Sequence, residues 1–413
     1  MARICLISPG HLSTNPRLVK EADALQSAGH DVQVIAADYV GWARRADEEF
    51  ANRSWRLAAR VPFGPDAPAT RRGLHWARRR AARALWSAGL RRDGILRAAW
   101  HPIGPELARA AKRVEADLYV AHYPAALPAA AHAAAARGAR YAFDAEDFHL
   151  GDPPESEAFD ELRAMVRAIE SRYLPGCAYV SAASPGIADA YQQAYGIARP
   201  VVIFNVFPLS EAPAGPTARG SVRPGPSVYW FSQTIGPDRG LECLVQAIGR
   251  SRSAPHAYLQ GNLQPGFGKE LAVLAAAAGA QDRVHCLDPE RPSDLVRRAA
   301  TFDLGFVGET GCTPNRRIAL TNKLFAYWLA GLPCVASDIP PHRALAAEAG
   351  PAMACFPVDD ADALAAALDG LLDAGDGGLA EARNQAWSLA QRRFNWDVEK
   401  ASLIHCVDGA LQS

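Results

Sequence analysis

The chain has 413 residues, 49% of them hydrophobic and 21% charged, with Lys plus Arg and Asp plus Glu balanced at 44 each. This length is too great for one ordinary core and calls for two domains of roughly 150 to 200 residues. The composition is that of a soluble globular protein, and the charge balance excludes a global pull toward nucleic acid. The eight cysteines include no CxxC pair, and Cys5, Cys334 and Cys355 lie in apolar runs. They read as buried thiols in a reducing compartment, not as a disulfide framework or a zinc site. The opening ARICLIS is a short strand, neither signal peptide nor membrane span, and no later apolar run is long enough to cross a bilayer.

Residues 1–38 read as a βαβ unit: a strand at 4–7, a helix whose apolar face is Leu18, Val19, Ala22 and Leu25, and a strand at 32–36. Pro16 sits where helices begin. The connecting loop, GHLSTNP, has no GxGxxG, which argues against dinucleotide chemistry. It still lies beyond a strand's carboxyl end, where Gly10, Ser13, Thr14 and Asn15 are candidate ligand contacts. Residues 71–97 then carry nine arginines and a single acid, Asp93. Leu74, Trp76, Leu85, Trp86, Leu90 and Trp100 interleave with them. A basic helix with tryptophans suits an anionic membrane surface, with Arg71 to Trp100 as the contact; the other reading is a solvated helix with its apolar stripe on the domain. No nucleic-acid-binding module accompanies the arginines.

A helix at 106–114 leads to a strand at 118–121 that ends at His122. An alanine-rich helix follows, then a strand at 141–143 ending at Asp144, so His122, Asp144, Glu146 and Asp147 gather at the carboxyl edge of a parallel sheet. His122 is an acid, base or polar contact, or a strand-end histidine bonded to a backbone carbonyl. A metal reading of the acidic group lacks a second ligand cluster. Helices at 159–173 and 185–195 alternate with strands at 178–182 and 201–205. Residues 210–227 are dense in Pro, Gly and Ser and read as a linker.

The alternation then restarts. A strand at 228–231 runs into the loop SQTIGPDRG, where Gly236 and Gly240 permit a tight turn and Arg239 precedes the next helix. A strand at 257–260 ends at Gly261. Strands at 283–286 and 304–307 and helices between them lead to TPNRRIALTNKLFAYWLAGLPCVASD. This stretch reads as a polar loop, a helix stopped by Gly331 and Pro333, and a buried parallel strand, CVAS. Asn322 and Lys323 stand at the helix start, where free N–H groups and the helix dipole favour an anion. Arg239 and Lys323 would serve one phosphate group together, or are two unrelated surface cations.

These segments also carry a resemblance. GHLSTNPRLVKEADALQSAGHDVQVIA, ADLYVAHYPAALPAA with YAFDAEDFH, SAASPGIADAYQQAYGIARPVVIFNVF, FSQTIGPDRGLECLVQAI, NKLFAYWLAGLPCVASD and RRFNWDVEKAS are similar, in that order, to segments of GT-B glycosyltransferases of the retaining family 4, the group 1 family. The resemblance implies an α/β fold of two Rossmann-like domains facing a cleft: an acceptor-side domain over 1–210, a linker over 211–227, a nucleotide-sugar domain over 228–390, and a C-terminal helix over 391–413 crossing back to the first domain. It implies metal-independent, retaining transfer of a sugar from a nucleotide diphosphate sugar to a glycan, lipid-linked or natural-product acceptor, with no cofactor, no metal and no nucleic acid, in the cytoplasm or at the inner membrane face.

By position, His122 would match the family's histidine beside the sugar and, with Glu146, is a candidate catalytic group. Arg239 would match the diphosphate cation. Gln233, Gly236, Gly261, Asn322, Lys323 and Leu324 complete the expected donor site, and Gly10, Thr14 and Asn15 the acceptor-side loop. Two positions where the family carries glutamates are here Ala326 and Ile318, and Gln233 stands where a basic residue is common. A catalytically degenerate binding protein on the same fold, or an isomerase or phosphorylase, is therefore the alternative.

Overall fold

The computed structural model describes residues 1–65, 67–216 and 223–412. Of the expected linker, residues 217–222 lie outside them. The chain forms two compact units, Met1–Ile203 with Lys400–Ser413, and Phe204–Glu399.

The first unit is built on seven described strands, all paired in parallel: β1 (Arg3–Ile7), β2 (Asp31–Asp38), β3 (Arg56–Pro62), β4 (Leu118–His122), β5 (Arg140–Ala145), β6 (Val180–Ala182) and β7 (Val201–Val202). Their order is β3-β2-β1-β4-β5-β6-β7, so the winding reverses between β1 and β4. The helices are α1 (Pro16–Ser27), α2 (Gly41–Ala46), α3 (Ala69–Ser87), α4 (Asp93–Trp100), α5 (Gly104–Arg113), α6 (Leu127–Arg137), α7 (Asp160–Tyr173) and α8 (Pro185–Tyr195). Burial of β1 and β4 on both faces explains their continuous apolar runs, and Ile4 to Ile7 are wholly buried.

The second unit has six described parallel strands: β8 (Ser227–Ile235), β9 (His256–Leu263), β10 (Val284–Leu287), β11 (Leu304–Val307), β12 (Cys334–Ser337) and β13 (Met353–Phe356), in the order β10-β9-β8-β11-β12-β13. Around them lie α9 (Leu241–Arg250), α10 (Phe267–Ala277), α11 (Leu295–Ala299), α12 (Pro314–Ile318), α13 (Asn322–Leu329), α14 (Pro340–Ala349), α15 (Ala361–Leu372) and α16 (Gly375–Arg392). The last helix, α17 (Trp396–Gln412), begins in this unit, and its residues from Lys400 onward belong to the first. No helix among the described residues is long and apolar enough to cross a membrane.

Several sequence expectations need correction. The strands β3 and β13 were not anticipated. Gln233 lies inside β8 and not in the loop after it, because a register shift between Phe231 and Thr234 lets β8 resume pairing with Asn262 and Leu263. Gly261 likewise lies within β9, where φ is +151° and a side chain would run into the Ser232 carbonyl. TPNRR is not a loop: Thr313 caps α12, accepting from the Arg316 N–H at 3.3 Å.

Candidate functional site

A cluster of charge in the second unit lies at its topological switch, between β8 and β11, where ligands of open α/β sheets bind. Three segments meet there. The β8–α9 loop brings Arg239. The residues after β11 bring Glu309. The α12–α13 segment brings Arg316 and Lys323. The first two touch backbone to backbone, which glycine alone permits: a Cβ on Gly240 would lie 3.0 Å from the Gly308 carbonyl oxygen, and one on Gly308 would lie 2.9 Å from that of Arg239. Gly240 also opens α9 in the left-handed region, with φ at +67°.

Lys323 is 6% exposed and Arg239 half-buried, and among the described residues neither makes an ion pair or a side-chain hydrogen bond. Burial, opposed by Glu309 but reinforced by Arg239 and Arg316, lowers the Lys323 ammonium to about 8. Arg239 is likewise lowered, by burial and then by Arg316. The buried carboxylate in the group, Glu309, is paired with Arg316 at 3.0 Å. Three cations thus share the buried Glu309 carboxylate, with the exposed Asp238 acting on Arg239 as well. Buried charges are normally paired, and Lys323, the one buried member of the three, has no carboxylate partner among the described residues.

The start of α13 adds donors. Thr321 is its N-cap but makes no capping bond, leaving the opening N–H groups to another acceptor. Among the described residues the Thr310 and Thr321 hydroxyls are buried with no hydrogen-bond partner, an expensive state that a polar ligand would relieve. Asn322 is half-buried on the first turn, whereas Leu324 is fully buried in the core, so only its backbone can belong to the site. Gly236 is buried in the β8–α9 loop; Gln233 is exposed, its carbonyl accepting from Asn262 at 2.9 Å. Ala326 is fully buried and Ile318 half-buried. Sequence reasoning missed Arg316; its signal was a second basic pair, RR, seven residues ahead of Lys323 in the same segment.

In the first unit, His122 closes β4 and is 1% exposed. Its Nε2 lies 3.2 Å from a Glu21 carboxylate oxygen and its Nδ1 3.5 Å from one of Asp144. Arg17 donates from Nε and Nη2 to both oxygens of Asp144 at 2.7 Å and from Nη1 to the Ile203 carbonyl at 2.8 Å. Burial opposes the imidazolium, yet the Glu21 and Asp144 carboxylates raise His122 above its ordinary value, and Arg17 holds Asp144 below the usual carboxylate range. Glu21, His122 and Asp144 present ligand-type atoms within 4.8 Å of one another. The Arg17 guanidinium already places a fixed positive charge against the Asp144 carboxylate there.

Immediately after His122, Tyr123 takes a left-handed backbone conformation, φ +67°, a sparsely populated state for a bulky side chain. Its hydroxyl donates to Glu146 at 3.4 Å. Glu146 follows β5 and is half-buried; desolvation and then the adjacent Asp147 raise its carboxyl to about 7. The strand runs through Asp144 to Ala145, so of the acidic group Asp144 is internal, while Glu146 and Asp147 stand at the edge. Of the loop after β1, Asn15 caps α1, accepting from Leu18 at 3.1 Å; the Thr14 hydroxyl donates to the His11 carbonyl at 3.0 Å; and the Gly10 N–H donates to Ser8 Oγ at 3.1 Å. His11 Nε2 accepts the Tyr39 and Val40 N–H groups, so Nδ1 carries the proton toward Asp47, 3.0 Å away. These bonds shape the loop from within.

Residues 14–205 match the glycosyl transferase 4-like domain. Solved structures resemble the whole chain: Anabaena HepE in complex with UDP, at 18% identity, 99% coverage of this chain, 100% of that one and a TM-score of 0.71; sucrose-phosphate synthase from Thermosynechococcus elongatus, at 17%, 99%, 98% and 0.68; and a mutant of S. aureus TarM in complex with UDP, at 9%, 100%, 100% and 0.69. No curated protein matches the chain in sequence. The two parallel-sheet units are therefore those of the GT-B glycosyltransferase fold. The family match lies within the first of them apart from its last residues, and the likeness to the solved structures is one of fold.

Proposed function

We propose that the protein transfers a hexose-like sugar from a nucleoside diphosphate sugar to an acceptor hydroxyl, binding the donor's diphosphate at Arg239, Lys323 and the start of α13. The observation that carries this reading is the buried, unpaired Lys323 with the half-buried Arg239 beside an uncapped helix terminus. When the bond from the anomeric carbon to the diphosphate oxygen breaks, charge develops on that oxygen. Fixed cations and N–H groups in a dry site stabilise it, so the reaction needs no metal. Front-face attack with retention is the stereochemistry the reading carries. His122 then acts as a positioning residue beneath the acceptor-side edge, and Glu146 and Tyr123 lie on that edge.

The test is titration calorimetry of UDP, GDP and ADP against the wild type, Arg239→Ala and Lys323→Ala, beside a transfer assay with the matching sugar nucleotides. Loss of a charge-assisted contact is worth about 1.5–3 kcal/mol, so each variant is expected to bind at least about tenfold more weakly. Unchanged affinity in both sinks the reading. Ala326 and Ile318 support the second reading, a catalytically degenerate binding protein. It predicts a wild type that binds a nucleoside diphosphate but neither transfers nor hydrolyses the sugar. Product released without any acceptor, or only with phosphate, would instead mark an isomerase or a phosphorylase.

For the acceptor we favour a lipid-linked or glycan substrate met at the inner face of an anionic membrane. The support is α3, where Leu74 is 61% and Trp76 65% exposed and Arg80 lies over the Trp76 ring at 5.5 Å.

A further inference from the structure

The diphosphate site described above contains one group with no evident task in binding an anion: the Glu309 carboxylate. It is buried, it is a charge neighbour of both Arg239 and Lys323, and it holds the Arg316 guanidinium at 3.0 Å. Its backbone is fixed, the Glu309 N–H donating to Ser337 Oγ at 2.9 Å. Arg316 is fixed at its own base by the Thr313 cap. The bond to Glu309 is the only hydrogen bond of its guanidinium among the described residues, so most of that planar fork of donors is uncommitted.

Resting on the reading of this site as the donor's, we propose that Glu309 is a built-in substitute for the diphosphate. It holds Arg316 while the site is free and yields it to the phosphates when the donor binds. Arg316 is thereby a third phosphate contact, and the carboxylate drives the nucleoside diphosphate out after transfer by reclaiming its partner. Two physical points support this. A buried carboxylate among three cations supplies negative charge of the kind a phosphate would supply. An arginine anchored at its backbone with a free face needs only a side-chain rotation to change acceptor.

The experiment titrates inorganic pyrophosphate and UDP, GDP and ADP against the wild type, Glu309→Gln, Arg316→Gln and the double variant, with stopped-flow dissociation of the tightest nucleotide and circular dichroism to verify folding. Glu309→Gln is expected to bind both pyrophosphate and the preferred nucleotide about tenfold tighter and to release the nucleotide more slowly. Arg316→Gln is expected to bind both about tenfold more weakly, and in its background the gain from Glu309→Gln disappears. Unchanged or weaker pyrophosphate binding by Glu309→Gln overturns the proposal. So does weaker nucleotide binding with pyrophosphate unaffected, which would make Glu309 a partner of sugar or ribose hydroxyls. If Glu309→Gln does not fold, Arg316→Gln decides, and unchanged pyrophosphate affinity there overturns the proposal. A wild type that binds neither pyrophosphate nor any nucleotide sinks the donor-site reading itself; a wild type that binds while Glu309→Gln is inert sinks this inference alone.

Discussion

The ammonium of Lys323 stands over the face of Trp230, 5.5 Å from the ring centroid, with no carboxylate within ion-pair distance among the described residues. Part of the cost of burying it is met by the ring, but the group still falls from 10.5 to about 8. At 1.36 kcal/mol per unit, that is about 3 kcal/mol of stability given up below pH 8. Lys323→Met is therefore expected to raise unfolding stability at pH 7 by roughly 1–3 kcal/mol while removing diphosphate binding. The unfolded chain keeps the proton up to 10.5 and the folded one only to about 8, so wild-type stability should gain on the variant across that interval. Urea melts at pH 7 and pH 10 measure both; a variant less stable at pH 7 contradicts the account.

The Arg17–Asp144 pair and its neighbour His122 are buried as a set. Removing one partner strands a charge, so Arg17→Met is expected to cost about 3–5 kcal/mol. His122 has its folded value raised, so its contribution is complete below about pH 6.5 and fades as pH rises through the folded value. Asp144 behaves oppositely: its contribution is present above 3.8 and lost as pH falls through its lowered value. Thermal melts of His122→Gln against wild type from pH 5 to 9 should show the largest deficit at the acid end of that range; a deficit that grows with pH would refute the protonated imidazole.

Glu146 is expected to place a titration near pH 7 in the rate profile of transfer, because burial and Asp147 lift its carboxyl there. Glu146→Gln should remove that limb and lower kcat. The same variant should be the more stable protein above pH 7, since the folded wild type holds its proton to higher pH than the unfolded chain and loses stability from 4.5 to about 7. A profile identical to wild type would take Glu146 out of the acceptor-side edge.

Exposed Leu74 and Trp76, with the α3 arginines around them, are expected to bind anionic vesicles. Flotation with phosphatidylglycerol liposomes at low salt should retain the wild type, release it at high salt, and fail for a Leu74→Ser, Trp76→Ser double variant. Wild type that does not float at low salt ends the membrane reading.

Some of the residue chemistry was legible because its cause is local. Pro16 beside Asn15 starts α1, and Gly331 stops α13, as their backbone preferences require. Asp93, the single acid among the arginines, was visible as an oddity but not as what it is: a tie from α4 to His132 at 2.9 Å and to Tyr173, with Arg97 pairing to it within the helix at 2.9 Å. The pairing of Arg316 with Glu309 was not legible, since it depends on α12 folding where the residues suggested a loop.

Alternation of strand and helix, two sheets, the start of α13 and the candidates Arg239 and Lys323 followed from the sequence, because side-chain periodicity and helix-end chemistry act between near neighbours. The sequence did not determine that Gly240 and Gly308 press two loops together, that Glu309 lies among three cations, or that His122 is sealed between Glu21 and Asp144. Burial and long-range charge pairing arise only when distant segments pack, and they decide which polar groups face a ligand and which hold the fold.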